Sequence, residues 1–551
     1  MSEISAATVI AKALKVQGIE NMFGIVGDPV YSIAYAAKEA GINYYGFRNE
    51  QTASYAAGAA GYLTGRPGVC LTVSGPGMIH AVAGLANAQA NCWPIILLSG
   101  ASATYQNGMG AFQESPQMEI AHPFVKYAAR LESIEQISSI IAQAVHHTII
   151  GRPGAAYIDL PADIVNGKIE EGAVIFPPQI PEPPRMLASA QAVNDALAML
   201  HSAERPLVIV GKGVAYARAE NEVRRFVESS GLPFLASPMG KGVVPDDHKQ
   251  SVASARSYAL QNADVIFLMG ARLNWIMHFG LPPRFSTDVR FIQMDVAEEE
   301  IGRNVPAAVA LGGDALAITR QLNAELEHMP WQYPAETTWW TGLKKKMQEN
   351  MAMVKPMFND DRVPMGYYRV LREVRDVLPR DAIIVSEGAS TMDIGRTVLP
   401  NFFARHRLDA GTFGTMGLSL GQAIAAAAIH PGKKVVCVQG DSSFGFCGME
   451  FETAARYDLP ITIVIINNNG IVAGPDAPFT PEDALPSAYM FQAHYERIAE
   501  AFGCKGWFVT KPEQLRPSLY AAMTDSRPSI VNIMISGSSA GKPQPFNWLT
   551  R

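Results

Sequence analysis

The sequence predicts an α/β protein made of three Rossmann-like, open parallel-sheet blocks. Short apolar runs alternate with helical patterns along the chain, and the clearest runs close on Gly or Pro. Such alternation implies parallel sheets covered by helices on both faces. Two irregular stretches divide the pattern into blocks.

The first block spans residues 1–170. Its opening residues, 1–18, read as an amphipathic helix, and its clearest strands are 69–73, 95–98 and 157–160. Pro177, Pro178, Pro181, Pro183 and Pro184 follow; so many prolines form neither regular helix nor central strand, so this is the first linker. The central block, 188–326, offers strands 207–210, 265–269 and 291–294. The stretch with Trp331, Trp339, Trp340 and Lys344 to Lys346 reads as a second connection, partly helical and on the surface. The third block, 360–535, holds strands 383–385, 435–438 and 461–466, and residues 536–551 form a terminal segment.

Composition narrows the function. A chain of 551 residues has room for about three domains. A net charge of −6 with no basic excess speaks against nucleic acid as partner. Five widely spaced cysteines with no CxxC suggest neither a disulfide framework nor a zinc site, and point to a reducing compartment. With no secretory pattern, no uninterrupted apolar stretch of membrane-spanning length and no SKL-type ending, a soluble cytoplasmic protein is expected.

The most informative segment runs from Gly440-Asp441-Ser442-Ser443 to Asn467-Asn468-Asn469-Gly470. Asp441 closes one apolar strand, and 27 residues on, Asn468 closes another. Open α/β sheets bind ligands at these carboxyl ends. The stretch between, 448–457, is read as the crossover helix. A carboxylate, an amide oxygen and a backbone carbonyl can therefore converge on a hard cation such as Mg²⁺, which keeps few protein ligands and completes its shell with phosphate oxygens. Gly and Ser beside Asp441 let backbone N–H groups approach phosphate. Either dipeptide alone would be ordinary turn chemistry; the pair, each closing a strand, is specific.

This arrangement resembles the signature of thiamine-diphosphate enzymes, with Ser442 where a third-position Gly is commoner. The resemblance implies that Asp441, Asn468 and the Gly470 carbonyl hold the metal. Gly440, Ser442, Ser443, Ile471 and the strand-end loop Gly388-Ala389-Ser390 would face the diphosphate. Met416, within Gly411-Thr412-Phe413-Gly414-Thr415-Met416-Gly417, would prop the bent cofactor, and Gly414 would bind its pyrimidine edge. Glu50, in Arg48-Asn49-Glu50-Gln51 before a small-residue helix, would exchange a proton with the aminopyrimidine. In this superfamily that glutamate reaches a second subunit, implying a homodimer or homotetramer with active sites at the dimer interface.

Nearly the whole chain is similar to the 2-hydroxyacyl-CoA lyases and their sister family, the oxalyl-CoA decarboxylases. The carrying runs are Met109-Gly110-Ala111-Phe112-Gln113-Glu114, Gly270-Ala271-Arg272-Leu273-Asn274-Trp275, Arg405-His406-Arg407-Leu408-Asp409-Ala410-Gly411, His494-Tyr495-Glu496 and Phe546-Asn547-Trp548-Leu549-Thr550-Arg551. Phe112-Gln113 stands where the decarboxylases carry Tyr-Glu. The resemblance implies cleavage or formation of the C1–C2 bond of a 2-hydroxyacyl-CoA, with formyl-CoA and an aldehyde or ketone as the other partners; an oxalyl-CoA decarboxylase or an acetolactate-synthase-like carboligase is the alternative. Gln113, His494 and Glu496 are candidates to handle the hydroxyl proton. Arg256, Ser257, Arg405 and Arg407 are candidates for the CoA phosphates, since guanidinium forks suit phosphate. Arg152, Arg272 and Asp295 match positions that bind ADP as a regulator in the decarboxylase relative. The segment from 536 would fold over the CoA entrance as a lid. Departures are Asp28, where relatives carry an apolar residue beside the reacting carbon, Ala101-Ser102-Ala103-Thr104, and Ile471-Val472-Ala473-Gly474.

Overall fold

The computed structural model describes residues 3–542. Three parallel sheets carry the chain. The first, in spatial order, is Asn43–Gly46, Asn21–Gly24, Gly68–Thr72, Ile95–Ala101, Ala155–Pro161 and Tyr127–Arg130. The central sheet is Phe234–Ala236, Pro206–Val210, Val265–Met269, Arg290–Asp295 and Ala307–Gly312. The third is Arg407–Asp409, Ile383–Ser386, Val435–Gly440, Ile461–Asn467, Ser529–Met534 and Lys505–Val509. Strands such as Ile95–Ala101 and Ile461–Asn467 are buried at every position. That is why they read as continuous apolar runs rather than alternating ones.

In all three sheets order reverses beside the first strand of the unit, so ligand crevices are expected at the carboxyl ends next to it. The first and third units share one apolar core: helix Glu50–Thr64, rich in Ala and Gly, packs on helix Ser419–Ile429. Gly421 is required there, because a Cβ on it would lie 2.6 Å from the Thr52 carbonyl.

Two local readings are corrected. The crossover helix after the third unit's Gly440 starts at once, as Asp441–Cys447, and continues as Glu450–Arg456, rather than starting at Gly448. The tryptophan stretch is not a surface connection. Trp339 and Trp340 begin the helix Thr338–Phe358 and are buried in the central core, Trp339 donating its Nε1–H to the Pro206 carbonyl at 2.9 Å. The proline linker, in contrast, has no regular structure from 174 to 189. Among the described residues no helix is long and apolar enough to cross a membrane.

Candidate functional site

The metal half of the site is built at the carboxyl ends of Val435–Gly440 and Ile461–Asn467, which are adjacent and in register. Asp441 opens its helix and is buried, yet its Oδ2 has no hydrogen-bond partner. Burial pushes its carboxyl up to about 7. An unpartnered buried carboxylate oxygen is costly unless a cation or proton meets it. Asn468 donates its Nδ2 to the Val472 carbonyl at 3.2 Å, which leaves its Oδ1 for another partner. Gly470 lies so close to the Ser487 carbonyl that a Cβ there would sit 2.4 Å from it, and the Ile471 N–H donates to that carbonyl at 2.8 Å. Among the described residues no three His, Cys, Asp or Glu side chains converge as a metal cluster. The donors are therefore carboxylate, amide and carbonyl oxygens, a set that fits Mg²⁺.

The neighbouring loop fits a diphosphate. Gly388 has φ of 90°, and a Cβ on it would stand 2.9 Å from Ser443 Oγ and 3.3 Å from the Gly440 nitrogen. Ser443 Oγ is buried and unpartnered, so the cradle keeps a free hydroxyl. Ala389 and Ser390 open the helix Ala389–Val398, whose N-terminal N–H groups favour an anion. Two tyrosines that sequence reading missed complete this side. Tyr489 OH lies 3.2 Å from Ser442 Oγ, and the Tyr495 ring meets Phe444 edge-on at 5.6 Å. The charge of Asp441 helps push the Tyr495 hydroxyl up to about 12, after burial.

His494 and Glu496, expected at the reacting end, flank Tyr495 but turn elsewhere. Glu496 Oε1 takes His494 Nδ1 at 2.6 Å and its Oε2 takes Asn532 Nδ2 at 2.9 Å, while the His494 ring packs on Phe508. Both Glu496 carboxylate oxygens are thus engaged, one by His494 and one by Asn532 of the strand Ser529–Met534.

Residues 411–417 form a turn with φ of 60° at Gly411, 69° at Gly414 and 84° at Gly417. All three units hold it. Thr412 donates its N–H to Asn91 Oδ1 at 2.8 Å, and Thr415 Oγ1 reaches Asn87 Oδ1 at 3.0 Å. Trp275 Nε1 donates to the Thr412 carbonyl at 2.7 Å, and Arg272 and Asn274 donate to its hydroxyl. On the far side, buried Glu387 accepts the N–H groups of Gly417, Leu418 and Ser419, with its carboxyl pushed up to about 7 by burial. Met416 therefore sits in a segment fixed at both ends. Preorganisation of this kind lowers a barrier by removing the entropy of alignment.

The other half lies on the first sheet. Asn49 caps the helix Glu50–Thr64, its Oδ1 accepting Gln51 N–H at 2.9 Å, which sets Glu50 as the first helical residue. Glu50 Oε2 lies 3.1 Å from His80 Nδ1, a partner the sequence did not single out. Gly77 is close to the carboxylate: a Cβ on it would lie 3.5 Å from Glu50 Oε1, and 2.6 Å from Val73 Cγ2, the approach that requires the glycine. Gln113, in the left-handed region at φ of 56°, accepts Ser74 Oγ at 3.2 Å and covers Gly75. Asp28 is exposed on the next loop, where Gly27 packs on the same Val73 that lies under Gly77. The structure thus brings Asp28, Glu50 and Gln113 to one rim.

In the central unit a cavity of about 610 Å³ opens at the switch point between Pro206–Val210 and Val265–Met269. Arg152, Lys212, Arg272 and Asp295 line it together. Gly211 is needed for the close crossing of the two loops, since its Cβ would lie 2.0 Å from the Gly270 carbonyl. Arg152 pairs with Glu300 at 2.9 Å, and burial lowers the Lys212 ammonium to about 8.

The four CoA candidates divide. Arg256 is half-buried, donating to the Ile276 carbonyl at 3.1 Å, and desolvation with the nearby Arg284 lowers it to about 10; Ser257 accepts from Arg284 at 3.5 Å. Arg405 and Arg407 are engaged within the protein. Arg405 forms a fork on Glu220, at 2.7 and 3.2 Å, and also holds the Ala215 carbonyl. Arg407 is wholly buried beside Asp409, Asn401 and Ser386, out of reach of a solvent-borne phosphate. Arg405 joins the third unit to the central one, whereas the partners of Arg407 all lie in the third unit. Of the terminal segment, residues 536–542 run across the loop after Asn468, with Gly537 N–H donating to Asp476 Oδ1 at 2.7 Å, and reach Tyr368 and Asn350 through Lys542. The remainder of the expected lid, including Phe546 to Arg551, lies outside the described residues.

Three family models match the chain: the N-terminal TPP binding domain of thiamine pyrophosphate enzymes over residues 4–120, their central domain over 193–322, and their C-terminal TPP binding domain over 387–533. The chain is 52% identical to 2-hydroxyacyl-CoA lyase 1 of Homo sapiens, covering 100% of this chain and 97% of that one. It is 41% identical to 2-hydroxyacyl-CoA lyase of Oryza sativa subsp. japonica, over 99% and 98%. It is 40% identical to oxalyl-CoA decarboxylase of Escherichia coli (strain K12), over 98% and 97%.

Proposed function

The chain belongs to the thiamine pyrophosphate enzymes and, within them, to the 2-hydroxyacyl-CoA lyase family, and from that premise we propose that it cleaves, or in reverse forms, the C1–C2 bond of a 2-hydroxyacyl-CoA, with formyl-CoA and an aldehyde or ketone as the other partners. The observation that carries this reading is the buried, unpartnered Asp441 oxygen beside the Gly388–Ser443 cradle, in a chain so similar to the lyases. Bound thiamine diphosphate supplies an electron sink for breaking a carbon–carbon bond next to a carbonyl.

The protein's own residues do the rest. Asp441, Asn468 and the Gly470 carbonyl hold Mg²⁺. Gly440, Ser442, Ser443, Ile471, Gly388, Ala389 and Ser390 enclose the diphosphate. Gly414 and Met416 seat the pyrimidine, and Glu50 exchanges a proton with its ring nitrogen. Gln113 and Asp28, on the same rim as Glu50, meet the substrate's hydroxyl. Arg256 and Ser257 take the CoA phosphates.

The two halves call for a second copy. Glu50's carboxylate is hydrogen-bonded to His80 and, among the described residues, to nothing in the third unit. Exposed Met109, Phe112, Phe446 and Met449 offer apolar surface for a partner. A homodimer, or a homotetramer of such dimers, brings Glu50 of each subunit to the metal half of the other.

The central cavity takes a nucleoside diphosphate such as ADP. Arg152, Arg272 and Lys212 meet its phosphates, and Asp295 meets its ribose. ADP at about 100 times its Kd is expected to stabilise the folded protein by about 2.7 kcal/mol. That gain shows as a higher Tm by scanning calorimetry, and Arg152→Ala is expected to abolish it while leaving thiamine-diphosphate binding intact. An unchanged Tm in the wild type would remove ADP from the cavity.

The reaction is tested by mass spectrometry of the products, with thiamine diphosphate and Mg²⁺ present. A panel of 2-hydroxyacyl-CoA thioesters should give formyl-CoA and the matching aldehyde or ketone. Formyl-CoA and CO₂ from oxalyl-CoA alone would make the protein a decarboxylase. Turnover of neither would return the assignment to the carboligases.

A further inference from the structure

Glu450 lies in the third unit and is 1% exposed. Among the described residues it has no cation at ion-pair distance; apart from the Thr453 hydroxyl, its partners are backbone N–H groups of the first unit. Oε1 accepts from Arg48 N–H at 3.1 Å and Asn49 N–H at 2.9 Å, Oε2 lies 3.3 Å from the same Arg48 nitrogen, and the Thr453 hydroxyl donates to Oε2 at 2.7 Å. The next turn of this segment grips the same loop. Gly46 N–H donates to the Tyr457 hydroxyl at 2.8 Å, and the Arg456 guanidinium donates to the Gly46 carbonyl at 2.7 Å. The loop between the strand Asn43–Gly46 and the helix Glu50–Thr64 is thus fixed through its backbone from another unit.

Burying a carboxylate is costly, and here burial pushes the group up to about 7. Apolar packing would hold two units together at less cost. What a carboxylate adds is direction: two successive N–H groups must point at one oxygen, which fixes the backbone of Arg48 and Asn49. Asn49 is the cap of the helix that Glu50 begins, so this restraint sets where the Glu50 side chain leaves the backbone. Among the described residues the Glu50 carboxylate hydrogen-bonds to His80 and to none of the clamping side chains.

We propose that Glu450 is a positioning residue for Glu50, holding the relay carboxylate at the angle at which it meets the cofactor's ring nitrogen. The inference rests on the reading of Glu50 as that relay. Glu450→Ala is expected to slow hydrogen–deuterium exchange at C2 of bound thiamine diphosphate about 10- to 100-fold, as misplacement of a catalytic group by an ångström does, with the cofactor's Kd little changed. In the cofactor-free protein, amide exchange of the peptide spanning 46–51 should speed up. Glu450→Gln should restore both, because an amide oxygen still accepts the two N–H groups and the amide nitrogen can donate to the Thr453 hydroxyl. If Glu450→Ala fails to fold, Glu450→Asp carries the test, since its shorter side chain withdraws the oxygens and should behave as Ala is expected to. A merely structural role would lower Tm and cofactor affinity together, with C2 exchange in the bound fraction unchanged, and would overturn the proposal. Glu50→Gln, run in parallel, separates the two claims. If it slows C2 exchange and the Glu450 variants do not, the clamp is wrong and the relay stands. If it does not slow exchange, the relay reading falls and the clamp with it.

Discussion

Replacing Glu50 by Gln slows C2 exchange of bound thiamine diphosphate by about 10²- to 10⁴-fold, the usual worth of a positioned acid–base group, and kcat falls with it. The amide is isosteric and still hydrogen-bonds to His80, whose Nδ1 lies 3.1 Å from Glu50 Oε2. The Asn49 cap is untouched, so the helix start is unchanged. Only the exchangeable proton is lost. Because the residues proposed to hold the diphosphate and metal lie on another sheet, Mg²⁺-dependent cofactor binding should change far less than the exchange rate. Quenched-flow exchange followed by NMR measures the first quantity and calorimetry the second. Exchange at the wild-type rate would remove Glu50 from the chemistry. His80→Ala, in the same assay, shows whether the imidazole assists the relay or merely covers it in the cofactor-free chain.

The parts of the fold and site that were legible in the sequence are those that local chemistry dictates. Strands buried on both faces leave long apolar runs, so 435–438 and 461–466 could be read directly, and Asp441 and Asn468 follow from their position at the strand ends. Prolines marked the first linker for the same local reason. What the sequence hid depends on partners distant along the chain. Nothing near Arg405 in sequence shows Glu220 paired with it, and nothing near Arg407 shows that it is fully buried. His494 and Glu496 flank Tyr495, but in that loop successive side chains take opposite directions, and the tyrosine takes the metal side. Trp339 and Trp340 sit in a stretch rich in Lys, which suggested surface; the charged residues occupy the helix's outer face while the tryptophans enter the central core. Glu387, Asn87 and Asn91 carry no motif at all, and only the fold shows that they hold the turn bearing Met416.

Asp441→Ala is expected to abolish Mg²⁺-dependent binding of thiamine diphosphate. Losing a group that merely supports a metal ligand costs roughly 10- to 100-fold in affinity, and loss of the ligand itself should cost more. The buried Oδ2 has no protein partner to lose, and the cost of burying the carboxylate offsets the backbone N–H groups that favour it, so the cofactor-free chain should stay folded with little change in Tm. Calorimetric titration with and without EDTA measures the first effect and thermal unfolding the second. Cofactor binding that survives both the substitution and EDTA would remove Asp441 from the site. The same variant tests whether the two halves are shared between subunits. Glu50→Gln chains lack the relay and Asp441→Ala chains lack the metal, so neither should be active alone. In a mixed dimer one site draws Glu50 from one chain and Asp441 from the other, and is whole. Unfolding and refolding an equal mixture of the two variants is therefore expected to restore roughly a quarter of wild-type activity, half the dimers carrying one intact site of two. If each chain completed its own site, the mixture would stay as inactive as its parts, and the dimer would be no part of the catalytic unit.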